Sequence, residues 1–341
     1  MKKSKEQRLL VRAKINKNDE FYTLLPDIER ELKHYGTHFK DKVVFCNTDD
    51  PLKSNFYTYF ANNFKELGIK KLIAACYKKE TRDLFNDDVS ERGYYYIYTG
   101  GENEKLRPSI EDITYFKGDG DFRSTESIEL MKEADIVVTN PPFSLFREFV
   151  AQLIEYDKEF LIIGNINAIT YKGIFKLIKE NKAWLGVNMG RGISGFMVPE
   201  HYELYGSEAG IDEFGNRIVS TNNSLWLTNL DSFKRYEDVD LKKTYYGNEA
   251  DYPKYDNYNG INVNRTQDIP KDYRGAMGVP ITFLHKYNPE QFEIIKFRKG
   301  DDNRDLSVNG KCPYFRVLIR NKRLQSKSLS TYSRVSIAAV Q

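Results

Sequence analysis

Residues 134–146 read ADIVVTNPPFSLF, a β-branched run that stops at two adjacent prolines. An apolar run without alternation suits a strand buried on both faces, and a proline lacks the amide hydrogen that a central ladder requires. The pair therefore ends the strand and fixes the backbone at its carboxyl end. SLFREFVAQLIEYD (144–157) follows with apolar residues at helical spacing. Strand, rigid turn and amphipathic helix make half of a βαβ unit, with the turn at the edge of the sheet where α/β proteins bind ligands.

The pattern repeats outward. PDIERELKHYGTHF (26–39) reads as a short helix with a proline at its start and a glycine near its end. DKVVFCNTDDP (41–51) is a strand opening into a polar loop, and SNFYTYFANNFKELG (54–68) a helix with Phe56, Tyr59, Phe60, Phe64 and Leu67 on one face. IKKLIAACY (69–77) is the next strand, YYYIYTG (94–100) an irregular one, and DITYFKGDGDFR (112–123) a strand running into a glycine turn. A helix at 124–133 precedes the quoted strand, and EFLIIGNINAI (159–169) is a strand beyond it. This succession predicts a doubly wound α/β sheet, parallel and covered on both faces. Past residue 180 the text changes: VNMGRGISGFMVPE (187–200) is glycine-rich, SLWLTNL (224–230) and VPITFLHKYNP (279–289) read as late strands, and 231–275 is dense in Tyr, Asn and Asp. The expected division is a basic tail at 1–16 and an α/β core at 17–185. Target-recognition segments at 186–275, around a returning core strand near 224–230, precede a last core strand and basic segment at 276–330.

The chemistry concentrates in Asn140, Pro141, Pro142 and Phe143. The Asn140 side-chain oxygen and the Pro141 carbonyl are two acceptors on a rigid turn, which is what an exocyclic NH2 group requires. Accepting both hydrogens of an adenine N6 amine frees its lone pair from the ring, a stabilisation worth most in the transition state. Phe143 can stack on the base. The competing reading is a strand-end turn with a buried phenylalanine.

This run resembles the Asn-Pro-Pro-Phe/Tyr motif of S-adenosylmethionine-dependent amino-methyltransferases of DNA. The chain over about 17–325 is similar to the EcoRI-type adenine-specific DNA methylases of restriction–modification systems. The resemblance implies a Rossmann-like methyltransferase sheet with inserted and C-terminal DNA-recognition segments, and methyl transfer from S-adenosylmethionine to N6 of a flipped-out adenine. It casts Asn140, Pro141, Pro142 and Phe143 as catalytic. KNDEFYTL (17–24) resembles a segment that closes over the cofactor, which implicates Phe21, Tyr22 and Thr23. FCNTDDPLKSNF (45–56) stands where the family's first loop wraps the methionine part. There Asp49 or Asp50 pairs with the α-ammonium, Pro51 completes the Asp-Pro match, and Ser54 and Asn55 meet the carboxylate. No GxG stands in this loop, a departure from the common pattern. GDGDFRS (118–124) implies Asp121, with Asp119 as its rival, as acceptor for the cofactor's adenine amine and Phe122 as packing for that ring. After the second strand the text is Ala74, Ala75, Cys76, Tyr77, Lys78, which offers no carboxylate for the ribose. Trp226 matches an aromatic near the flipped base.

The formal net charge of the 341 residues is +3, but its distribution is uneven. Residues 1–17 carry seven Lys/Arg against one Glu, 201–260 carry six against eleven Asp/Glu, and 296–327 carry ten against three Asp. Basic ends flanking an acidic segment fit double-stranded DNA as partner, with Lys311, Arg316, Arg320, Lys322 and Arg323 on the backbone and Arg191, Asn262, Asn264 and Arg265 able to meet base edges. Solvated basic faces are the plain alternative. Three scattered cysteines and four histidines form neither a disulfide framework nor a zinc spacing, so no metal is expected. Nor does the chain show a signal peptide or an apolar run of membrane length, and a cytoplasmic protein with no membrane partner is the expectation. A monomer or a dimer fits, as does a cognate restriction endonuclease that shares the site without a stable complex. Absence of GxGxxG argues against a dinucleotide-dependent dehydrogenase. An amino-methyltransferase of RNA or protein amide, and a non-catalytic nucleic-acid binder of the same fold, stay open.

Overall fold

The computed structural model describes residues 21–78, 92–102, 104–188, 193–198, 204, 209–212, 215–220 and 223–324. The expected basic tail at 1–16 and Arg191 lie outside the described residues. The described chain divides into two units, the first running to Ile174 and then from Ala183 to Leu230, the second comprising Phe175–Lys182 and the residues from Asp231 onward.

In the first unit the order is β1 (Tyr22–Thr23), α1 (Leu25–Leu32), β2 (Val43–Asn47), α2 (Asn55–Asn62), β3 (Lys71–Cys76), β4 (Tyr94–Tyr98) and β5 (Thr114–Tyr115). It continues with α3 (Thr125–Glu133), β6 (Ile136–Thr139), α4 (Phe146–Glu155) and β7 (Glu159–Asn165). α5 (Lys172–Lys179), whose residues are divided between the units, precedes β8 (Trp184–Leu185), β9 (Gly195–Met197), β10 (Ala209–Ile211), β11 (Arg217–Ser220) and β12 (Ser224–Thr228). Local chemistry explains several ends. Pro26 opens α1 where a missing N–H costs nothing. Ser54 and Ser124 cap α2 and α3, their hydroxyls accepting from the amides of Phe56 (3.1 Å) and Ser127 (3.2 Å).

The main sheet has eight strands in the order β5-β4-β3-β2-β6-β7-β12-β8. The four central ones, β3-β2-β6-β7, are parallel, with Val44 opposite Ile136 and Thr139 opposite Ile162. They are the strands with unbroken apolar text, and β2 and β6 are buried along their whole length. β4 and β12 join the parallel block antiparallel on its two sides, so the sheet is mixed and the expected all-parallel order holds only in its centre. β4 is a regular strand whose inward and half-exposed tyrosines alternate, the pattern of an antiparallel flank. The strand expected in 112–123 shrinks to Thr114–Tyr115, because the glycine turn takes over the rest. Alternate residues Val44, Cys46, Leu72, Ala74, Ile136, Val138, Leu161 and Ile163 share a cluster with Ile28, Leu32, Phe56 and Phe60 of α1 and α2. Their sequence neighbours point to the opposite face, where Met131, Phe146, Phe149 and Leu153 of α3 and α4 are also buried. A second, antiparallel sheet runs β1-β9-β11-β10.

The second unit holds β13 (Gly260–Asn262), β14 (Ala276–Pro280), β15 (Phe292–Phe297) and β16 (Arg316–Asn321), in the order β13-β14-β16-β15. The late strand read at 279–289 is β14, which belongs to this sheet and ends in a 3-10 turn at Ile281–Lys286. Tyrosines of 231–275 are largely structural: Tyr245, Tyr252 and Tyr255 are buried, and the Tyr245 ring lies 4.5 Å from that of Tyr273. No helix among the described residues is long and apolar enough to cross a membrane.

Candidate functional site

Chain order moves from β2 through β3 and β4 to β5 on one side of β2, then returns to place β6 and β7 on the other. The reversal falls between β2 and β6, and the loops leaving their carboxyl ends are the TDDP and NPPF segments. Such a switch point opens a crevice at the carboxyl edge of a parallel sheet.

Asn140 stands at this edge, immediately after β6. Its Nδ2 donates to the Phe21 carbonyl at 2.9 Å. Because a carbonyl can only accept, that contact fixes the amide orientation and leaves Oδ1 as the other end. Oδ1 is buried and has no hydrogen-bond partner among the described residues. An unused acceptor in that position costs free energy until a donor arrives. Around it three rings gather. Phe21 lies nearly parallel to Phe143 with centroids 6.4 Å apart, and Phe196 meets Phe21 at 5.7 Å and Phe143 at 6.1 Å. Phe196 enters because β9 pairs with β1, setting Phe196 opposite Thr23 and Met197 opposite Tyr22. It had no signal of its own in the sequence, being one phenylalanine in a glycine-rich stretch.

The TDDP loop is tied to the same turn. Asp49 is buried, its Oδ1 accepting from Ser54 Oγ at 2.8 Å and its Oδ2 from Thr139 Oγ1 at 2.5 Å. Burial pushes the Asp49 carboxyl up to about 7, against hydrogen bonds from Thr139, Ser54 and the Asn140 amide and with help from the Asp50 charge. Thr139 Oγ1 also contacts the Asn47 carbonyl, and Thr48 Oγ1 lies 3.0 Å from it and 3.5 Å from the Asn140 carbonyl. Thr48 adopts φ +72°, a left-handed backbone that a β-branched residue avoids. Asp50 Oδ1 accepts from Tyr94 OH and from the Leu52 amide, both at 2.9 Å, and Oδ2 has no partner among the described residues. Asn55 Nδ2 donates to the Thr23 carbonyl at 2.8 Å, and Pro51 is buried beside it in the loop. Phe21, Thr23, Asp49, Ser54, Asn55 and Asn140 therefore form one connected assembly, although they come from three separate stretches.

The 118–122 loop sits beyond the carboxyl end of β3, where the Lys78 amide donates to the Asp119 carbonyl at 2.9 Å. Asp121 is bound on both oxygens by Arg123, at 2.9 Å from Nε and 2.7 Å from Nη2, and this guanidinium holds its carboxyl below the ordinary range. Asp119 uses Oδ1 for the Asp121 amide at 3.0 Å and leaves Oδ2 without a partner among the described residues. Phe122 turns into the core at 3% exposure against Phe149, with centroids 5.1 Å apart, so its ring faces protein rather than the crevice.

Downstream candidates behave differently from their sequence reading. Trp226 is fully buried in β12 with Phe56 edge-on at 6.0 Å, a core residue. Arg316 is 8% exposed and donates to Asn262 Oδ1 (3.0 Å), Asn264 Oδ1 (3.4 Å) and the Tyr314 carbonyl (3.1 Å). Arg323 is paired with Asp238, Arg320 with Glu293, and Lys322 with the Pro289 carbonyl. Arg265 is exposed.

The family described as adenine-specific methyltransferase EcoRI matches residues 9–338. The sequence is 63% identical to the Type II methyltransferase M.EcoRI of Escherichia coli over 325 residues, which cover 95% of this chain and 100% of that one. It is 37% identical to the Type II methyltransferases M.MgeORF184P of Mycoplasma genitalium and M.MpnI of Mycoplasma pneumoniae, over 92% of this chain and 98% of each relative. No solved structure matches.

Proposed function

The chain belongs to the EcoRI family of adenine-specific methyltransferases, and from that membership we propose that it transfers a methyl group from S-adenosylmethionine to N6 of an adenine extruded from duplex DNA at a specific site. The observation that carries this reading is the unpartnered Oδ1 of Asn140 at the switch point of the sheet.

The residues at this edge fit S-adenosylmethionine. Asp50 keeps an oxygen open for an ammonium, Asp49 lies beside it, and Asp119, in the loop beyond β3, keeps one open for an adenine amine, while Asp121 and Phe122 anchor that loop. Ser54 and Asn55 start α2 next to these carboxylates, where the positive end of the helix suits the cofactor's carboxylate. Residues 74–78, where β3 ends, offer no carboxylate for the ribose. Once bound, the cofactor supplies an electrophilic methyl on a positively charged sulfur. Asn140 Oδ1 and the Pro141 carbonyl accept the two N6 hydrogens and aim the nitrogen lone pair along the line of attack. The ring group of Phe143, with Phe21 and Phe196 beside it, offers faces on which the adenine stacks. The nitrogen becomes cationic as its bond to the methyl forms at the expense of the methyl–sulfur bond, whose electron pair stays on sulfur, and its surplus proton then passes to solvent, so no base need act before attack. Extrusion costs a few kcal/mol, which contacts to the DNA must offset. One copy of the chain suffices for each strand, and a cognate endonuclease of the modification system need share only the site.

The test is incubation with methyl-labelled S-adenosylmethionine and unmethylated duplex DNA, followed by nucleoside analysis. N6-methyladenine is the expected product, and Asn140→Ala should lower turnover at least about a hundredfold while cofactor binding persists. Label appearing in RNA or protein instead of DNA would overturn the substrate, and full activity of Asn140→Ala would overturn the role of that residue.

A further inference from the structure

Arg147 stands in the first turn of α4, four residues beyond Phe143. Its side chain is exposed and its guanidinium lies over the Tyr171 ring, 5.1 Å from the centroid. No carboxylate among the described residues comes within ion-pair distance of it. The adjacent Glu148 is taken by Arg123 at 3.0 Å. Among the described residues it is thus a cation without a counter-ion, unlike Arg123, Arg298, Arg320 and Arg323.

Tyr171 is itself fixed. It follows the 3-10 turn Ile166–Thr170 at the carboxyl end of β7. In that turn the Asn167 amide donates to Asn165 Oδ1 at 2.9 Å, Thr170 Oγ1 to the Asn167 carbonyl at 2.7 Å, and the Tyr171 amide to the Ala168 carbonyl at 2.9 Å. The start of α4 presses on the same strand: a Cβ on Gly164 would come within 2.6 Å of the Phe146 ring. The guanidinium is therefore an oriented plane held between the loops leaving β6 and β7, on the edge that carries Asn140. Ser144, Asn167, Thr170 and Lys172 are exposed on these loops, and neither 140–147 nor 163–173 contains an acidic residue.

We propose that Arg147, stacked on Tyr171, grips a backbone phosphate of the target strand beside the extruded adenine. This rests on the reading of the chain as a duplex-DNA methyltransferase. Turning a nucleotide out of the helix carries its flanking phosphates to the rim of the pocket that receives the base. A planar fork matches phosphate oxygens, and the aromatic face beneath it reduces the freedom lost on contact. Such a contact sets position and reads no sequence.

Duplex binding across a range of salt concentrations, with cofactor binding measured in parallel, tests this. Arg147→Ala should weaken binding about tenfold on any sequence and reduce the magnitude of the slope of log affinity against log salt by about 0.9. Binding of S-adenosylhomocysteine should be unchanged. Arg147→Lys should restore the slope and part of the affinity, and Tyr171→Leu should lower affinity at unchanged slope. Wild-type affinity and slope in Arg147→Ala would overturn the proposal, as would an equal loss of cofactor binding, which marks a structural role. If the unaltered protein forms no N6-methyladenine in the same duplex, the functional reading fails; if it does and Arg147→Ala is indifferent, only the phosphate contact fails.

Discussion

Thr48 is a β-branched residue held at φ +72°, a backbone that costs roughly 1–3 kcal/mol outside glycine and asparagine. What the strain retains is a hydroxyl that meets Thr139 Oγ1 and the Asn140 carbonyl, joining the ends of β2 and β6 across the switch point. The peptide that follows Asn140 leads directly into the two prolines, so its orientation sets where both acceptors face. Thr48→Gly relieves the strain and removes the hydroxyl. Its folding stability should stay within about 1 kcal/mol of the parent, since strain relief offsets the lost contacts and the added freedom of the unfolded chain. Its single-turnover methylation rate should fall about tenfold, with Thr48→Ser restoring most of it. An equally stable Thr48→Gly that methylates at the parental rate would show that the hydroxyl positions nothing. Asn140 was legible because prolines announce a fixed turn, whereas nothing in the letter Thr announces a positive φ.

At the scale of elements, a buried cation organises the second unit. Arg316 opens β16 and reaches past β14 to Asn262 at the end of β13, where Tyr255 OH also donates to the same oxygen at 3.0 Å. Its acceptors are neutral, and no carboxylate among the described residues pairs with it. Removing it takes a charged donor from the buried Asn262 oxygen, and others from the exposed Asn264 oxygen and the Tyr314 carbonyl. Arg316→Ala should therefore cost about 3 kcal/mol in urea unfolding, with the salt slope of DNA binding untouched. A stable variant with a shallower slope would return Arg316 to the DNA-facing role that its basic neighbourhood suggested. Charge runs mislead in this way because a sequence shows the sign of each residue but not its partner. Asp238, Glu293 and Asp305 neutralise arginines far away or across a turn. Antiparallel flanks escaped for a related reason: direction belongs to pairing, and apolar text is the same for either direction.

For the whole molecule, Asp49 makes stability depend on pH. Its carboxyl is raised to about 7 from an unfolded value near 4, so between these limits the folded protein holds a proton that the unfolded chain releases. The contribution is complete below about pH 4 and is lost as pH rises through about 7. Asp49→Asn mimics the protonated form, and its unfolding free energy should fall less than that of the parent between pH 5 and about 7.5 in denaturant titrations. Parallel curves for the two proteins would mean that the carboxyl titrates in its ordinary range.

The sequence alone determined the central strands, the helices between them and the rigid NPPF turn, because each depends on periodicity or on the fixed backbone of proline, which are properties of neighbouring residues. It also carried the family motifs in order, so the TDDP and NPPF segments were legible in it. Only the tertiary structure decided that Phe196 stands beside Phe21 and Phe143, that Asp121 is committed to Arg123 while Asp119 keeps an oxygen open, and that the exposed Arg147 lies on Tyr171. These facts are made by strand pairing and by competition among partners distant in the chain, and neither is written in the spacing of residues along it.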